Sequence, residues 1–127
     1  MDTLHEKINA IYKTAKSYPE VVERLIALGI QTYTVDVASS TILYRNSEGR
    51  HVIHPGTHDL RLISAAFDTK KVIQAIRDNQ QGKSDYSGFM NAIAEAGVRF
   101  YEATLVGAEK RVTYIGPQDH YEEKISL

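Results

Sequence analysis

Leu4, Ile8, Ile11, Tyr12 and Ala15 recur three or four residues apart, so residues 3–16 place one apolar stripe along a helix. Ser17-Tyr18-Pro19-Glu20 interrupts that stripe, with Ser17 suited to an N-cap and Pro19 to a first turn. A second helix is predicted from Val21, Val22, Leu25, Ile26 and Leu28, and Gly29 stands where a left-handed C-terminal residue belongs. From Ile30 the period changes to two. Tyr33, Val35 and Val37 share one face and Thr32, Thr34 and Asp36 the other, which is the pattern of a strand. Ala38-Ser39-Ser40 reads as a turn and Ile42-Leu43-Tyr44 as a second strand. Asn46-Ser47-Glu48-Gly49 is a further turn, and residues 50–54 form a third strand ended by Pro55-Gly56. Residues 55–67 are irregular, and Leu60, Leu62, Ile63 and Phe67 suggest packing on the core.

The same order then returns. A helix from Asp68 or Thr69 carries Val72, Ile73 and Ile76, and Gly82-Lys83-Ser84 breaks it. Tyr86, Phe89, Met90, Ile93 and Ala96 form the next stripe, closed by Gly97. Strands are predicted at residues 98–105 and 111–115, and an edge strand at 121–127. Gly29 and Gly97 are 68 residues apart, and that offset matches Leu25 with Ile93, Tyr33 with Tyr101 and Val35 with Ala103. With two extra residues in the second turn, Ile42-Leu43-Tyr44 matches Val112-Thr113-Tyr114. The pattern therefore predicts an α+β domain over residues 1–127. It would be built from two pseudo-repeats of helix–helix–strands, at about 1–67 and 68–127, on a mainly antiparallel sheet.

Composition narrows the chemistry. The 127 residues suit one domain, which buries roughly two thirds of its unfolded surface. Hydrophobic residues are 43% and charged residues 24%, as in an ordinary globular domain. There is no cysteine, which excludes disulfides, thiolate metal sites and cysteine nucleophiles and fits a cytoplasmic protein. The net charge is −1 and both halves are balanced, so nucleic acid is not an expected partner. No segment reaches the length of a membrane span, and the first residues lack the pattern of a signal peptide, so no membrane association is expected.

Three groups of residues could carry chemistry. His51, His54, His58 and Asp59 lie within nine residues, and imidazole with carboxylate suits a divalent metal. Positions 51 and 54 face opposite sides of a straight strand, so a metal site would use His54, His58 and Asp59 unless the strand bends. The bland alternative is a set of partly exposed histidines. Tyr33, Tyr44, Tyr101 and Tyr114 fall at matching places in the halves. Tyrosine joins an apolar body to a polar tip and suits a ligand cleft, although inward strand positions also serve the core. Tyr33, Tyr101 and Asp36 are the candidate ligand contacts, with a turn-capping role as the alternative for Asp36. Gly82-Lys83-Ser84 imitates the end of a phosphate loop, but the required upstream glycine is Arg77 and the preceding segment is helical. Ser87-Gly88 lacks the second glycine of a nucleophile elbow.

The stretch Gly29-Ile30-Gln31-Thr32-Tyr33-Thr34-Val35-Asp36 resembles the Gly-Val-x-x-Tyr-x-Val-Asp segment of the bacterial YbcV/YdfO-like family. Thr41-Ile42-Leu43-Tyr44, Glu48-Gly49, Ala96-Gly97-Val98, Tyr101 and residues 110–116 are similar in type and order. The chain departs from that pattern at its end, Lys124-Ile125-Ser126-Leu127, where an aromatic-proline pair is expected. The resemblance implies a short prophage-associated protein, of a kind sometimes labelled a phage envelope protein, with no catalytic residues to carry over. The reading is a non-catalytic binding or interaction module of phage-related origin, partnered by another protein or a second copy as a homodimer. The alternative is a small metal- or histidine-dependent enzyme near His54, His58 and Asp59. No cofactor is expected beyond that alternative's divalent metal.

Overall fold

The computed structural model describes residues 3–56 and 59–125. Helices α1 (Leu4–Thr14) and α2 (Tyr18–Ala27) precede strands β1 (Ile30–Asp36), β2 (Thr41–Asn46) and β3 (His51–His54). Helices α3 (Thr69–Gln80) and α4 (Tyr86–Glu95) precede β4 (Phe100–Thr104), β5 (Arg111–Ile115) and β6 (His120–Lys124). Each helix begins at a side-chain cap. Thr3, Ser17, Asp68 and Asp85 accept from the backbone N–H groups of Glu6, Glu20, Lys71 and Gly88. Gly29 and Gly97 end the second helix of each half at φ +83° and +90°, conformations costly for any residue with a Cβ.

The six strands form one antiparallel sheet in the order β3-β2-β1-β4-β5-β6. The two halves meet at its centre, where β1 pairs with β4. Thr34 and Glu102 are direct partners there, and they are also equivalent under the 68-residue offset. A pseudo-twofold axis therefore passes between them. Tyr33 faces Ala103 and Tyr101 faces Val35, as that axis requires. The helix–helix–strands order occurs twice in one α+β fold.

The helices cover one face of the sheet. Tyr33, Val35, Val37, Tyr101, Ala103 and Leu105 point into that layer and are buried with Ile8, Val22, Leu25, Val72, Met90 and Ile93. The opposite face is polar, where Arg45 donates to Thr32 and Thr34 and Thr34 donates to Glu102. The irregular segment after β3 differs from expectation in part. Ile63 and Phe67 pack on the core, but Leu60 and Leu62 stand exposed. Polar contacts hold the segment instead: the Arg61 guanidinium donates to Asn91 Oδ1 at 2.8 Å, Ser40 Oγ at 2.6 Å and the Val37 carbonyl at 3.2 Å.

Candidate functional site

The apolar face of each half presents two strand tyrosines as a cross-strand pair. Tyr33 and Tyr44 are register partners with ring centroids 5.6 Å apart and planes tilted 39°. Tyr101 and Tyr114 repeat this at 5.4 Å and 38°. All four are buried. Above them, the turn between α1 and α2 stands apart from the turn between α3 and α4, and a cleft of about 860 Å³ opens between the two helix pairs. Seven of the eight tyrosines line it: Tyr12, Tyr18, Tyr33, Tyr44, Tyr86, Tyr101 and Tyr114. Phe89, Val35, Ile42, Ile76, Val112 and Ile125 supply the remaining apolar wall. The volume lies within the range of small-molecule sites.

Three helix tyrosines close over strand tyrosines. Tyr18 and Tyr33 share a hydrogen bond at 2.7 Å between hydroxyls. The Tyr86 hydroxyl lies beside that of Tyr101, and the Tyr12 hydroxyl beside that of Tyr44. The Tyr12–Tyr44 contact falls short of hydrogen-bond geometry, leaving Tyr44 Oη buried without a partner among the described residues. Tyr12, Tyr18 and Tyr86 are 46%, 45% and 50% exposed, yet desolvation raises the pKa of each. Their free surface faces protein across the cleft rather than open water, and this reconciles the two observations. Burial pushes Tyr12 up to about 12, with the Tyr44 hydroxyl opposing part of the rise. Tyr33, Tyr44, Tyr101 and Tyr114 are raised by burial first, then chiefly by neighbouring phenols. At neutral pH the lining is therefore a set of uncharged hydroxyls that both donate and accept.

The two ends of the cleft differ. At the first-half end, His54 closes β3 with its ring 5.1 Å from Tyr44 and 4.3 Å from His5 on α1. Its Nε2 is buried without a hydrogen-bond partner among the described residues. Burial, then His5, lowers its pKa from 6.5, so the imidazole is neutral at pH 7. At the second-half end, Glu123 on β6 is engaged on all sides. It pairs with Arg77 at 2.8 Å and accepts from the Tyr121 hydroxyl at 2.9 Å and, more distantly, from the Gln80 amide at 3.5 Å. That carboxylate is thus neutralised before any ligand arrives.

The residues singled out from sequence fall in different places. Tyr33 and Tyr101 both line the cleft. Asp36 is on the opposite sheet face, where its carboxylate accepts from the Ser39 N–H at 3.1 Å and the Ser39 hydroxyl at 2.5 Å. It caps the β1–β2 turn. His54 lines the cleft, His51 and Asp59 are exposed, and His58 lies outside the described residues. Among the described residues, no three His, Asp or Glu side chains gather as a metal site. No described helix is long and apolar enough to cross a membrane. Sequence reasoning missed Tyr12, Tyr18 and Tyr86 as cleft residues, because two of them blend into apolar helical stripes and the third into a helix-start motif. The 68-residue offset relates Tyr18 to Tyr86 and could have found that pair.

No curated relative matches the chain. The profile of one family, described as "Protein of unknown function (DUF1398)", matches residues 6–121. That span runs from the first turn of α1 into β6 and takes in both helix pairs and all seven cleft tyrosines, so the chain belongs to the DUF1398 family.

Proposed function

We propose that the chain is a non-catalytic binding domain whose tyrosine cleft receives a small, uncharged, mainly apolar molecule. One observation carries this reading: seven of eight tyrosines converge on a single cleft of about 860 Å³. A core needs aromatic bulk, but it does not need phenol hydroxyls grouped around open space. The charge balance of the lining selects against a cation. Glu123 is already held by Arg77, and the other charged lining residues are Lys16 and Lys124. The raised tyrosine pKa values support binding over catalysis, since none of these hydroxyls becomes an anionic nucleophile near neutral pH. The likeness to YbcV/YdfO-like proteins supports a prophage-associated origin.

A second reading uses His54 as a general base, favoured by its neutral ring and unpartnered Nε2 at the end of the cleft. It predicts turnover of a bound molecule that His54→Ala abolishes without weakening binding. The binding reading is tested with naphthalene and 2-naphthol, followed by tyrosine fluorescence and thermal stability. The expected result is saturable binding of at least one of them that raises Tm and is lost in Ile42→Trp, a substitution that fills the cleft. Failure of both compounds to bind the folded protein would refute the cleft as a small-molecule site.

A further inference from the structure

The pseudo-twofold axis gives the cleft four corners, each founded on one strand tyrosine. Three corners are closed by a phenol from a helix: Tyr18 over Tyr33, Tyr86 over Tyr101, and Tyr12 over Tyr44. The fourth corner, over Tyr114, has no such phenol. Under the 68-residue offset the counterpart of Tyr12 is Gln80, at the end of α3. The Gln80 amide is engaged elsewhere: its carbonyl accepts from Arg77 at 3.1 Å and its N–H₂ faces Glu123. Tyr121, the register partner of Tyr114 on β6, stacks beside it with ring centroids 6.4 Å apart, but its hydroxyl is committed to Glu123 and it does not line the cleft.

We infer that the ligand carries a phenol-type hydroxyl on a flat aromatic ring, and that this ring occupies the fourth corner over Tyr114 in the place that Tyr12 holds over Tyr44. This rests on the cleft-binding reading and names its ligand class. The protein's own side chains display the recognition chemistry at Tyr18 and Tyr33, whose hydroxyls hydrogen-bond at 2.7 Å. At the other two closed corners a neutral helix phenol places its hydroxyl beside that of a buried strand phenol. The fourth corner has the same foundation, with Phe89 6.5 Å from Tyr114 in an edge-on arrangement. Ile76 and Val112 line the cleft with them. An aromatic ring meets apolar and edge-on aromatic surface there, and a hydroxyl meets a neutral donor-acceptor.

Three measurements on the full chain test this. First, 2-naphthol should bind at least about fivefold more tightly than naphthalene, the gain of one hydrogen bond. Second, Gln80→Tyr restores the missing phenol and should weaken 2-naphthol at least tenfold while leaving Tm unchanged or higher. Third, Tyr12→Gln opens the matching corner over Tyr44 and should raise the stoichiometry from one 2-naphthol to two. Circular dichroism establishes that each variant is folded, and light scattering reports whether a second copy of the chain fills the cleft instead. Equal affinity for naphthalene and 2-naphthol, wild-type affinity in Gln80→Tyr, a stoichiometry of one in Tyr12→Gln, or a dimer that 2-naphthol dissociates would each overturn the phenol assignment. Those outcomes leave a cleft that binds something else, whereas failure of both compounds removes the cleft reading itself.

Discussion

Tyr12 and Gln80 stand at the same point of the two halves, 68 residues apart, and do opposite things. Tyr12 lays its ring into the cleft beside Tyr44, while Gln80 turns its amide toward Arg77 and Glu123 and leaves Tyr114 without a phenol from a helix. Elsewhere the halves agree closely. The capped helices, the positive-φ glycines, the cross-strand tyrosine pairs and the central register all repeat. Symmetric packing satisfies the core from both sides, so the fold has no need of a difference at this corner. A departure from symmetry in the lining of a cavity is where the two halves have been free to acquire separate roles.

The strongest way to sharpen the comparison is through its shared core. Leu25 and Ile93 are equivalent and fully buried. Alanine at either position should cost about 2–5 kcal/mol, with both variants unfolding in one cooperative transition by urea denaturation. Two separate transitions would show instead that the halves are independent units. The glycines should break the symmetry next. A Cβ on Gly97 would sit 2.3 Å from the Ala66 carbonyl oxygen, whereas on Gly29 its nearest neighbour is Ser47 Oγ at 3.3 Å. Both suffer the left-handed backbone, so Gly29→Ala should cost about 1 kcal/mol and Gly97→Ala about 3 kcal/mol or more. Equal costs by the same titration would mean that the segment carrying Ala66 yields easily.

These two features separate what the sequence made legible from what it did not. Period-three-to-four stripes, a switch to period two and glycine stops were sufficient to place all four helices and six strands, and the offset was sufficient to find the duplication. Those signals are local. The cleft is not local, because its lining comes from both turns between helices and from all six strands. Tyr33 and Tyr101 were readable as inward residues, but nothing in their spacing shows whether an inward tyrosine meets side chains or open space. Asp36 sat in the same motif as Tyr33, yet strand alternation sends it to the far face and Ser39 engages it. The metal reading of His54, His58 and Asp59 rested on closeness in sequence: His54 lines the cleft, Asp59 is exposed and His58 lies outside the described residues.

Alkaline titration sharpens the contrast between helix and strand tyrosines. Every one of the cleft tyrosines has a folded pKa raised above 10. The unfolded chain therefore releases these protons first as pH rises. The stability tied to them is fully present below pH 10 and is lost as pH climbs through about 12, the value for Tyr12, and beyond. Tyrosinate absorbance should show little ionisation at pH 10, then a steep rise that coincides with unfolding. A full complement of tyrosines titrating at the ordinary value with the fold intact would exclude a desolvated cleft. The smallest effect belongs to the ion pair that occupies Gln80. The Arg77 side chain is 42% exposed, so a double-mutant cycle of Arg77→Met and Glu123→Gln should give a coupling below about 1 kcal/mol. A larger coupling would make this corner a structural clasp.

The most direct measurement is a heteronuclear NMR titration of ring-labelled tyrosines with 2-naphthol. Resonances of Tyr114, Tyr86 and Tyr101 should move most, the other cleft tyrosines less, and all should saturate at one molecule per chain. Saturable shifts that leave all seven cleft tyrosines unmoved, or no shifts at any tyrosine, would contradict a binding site between the two helix pairs.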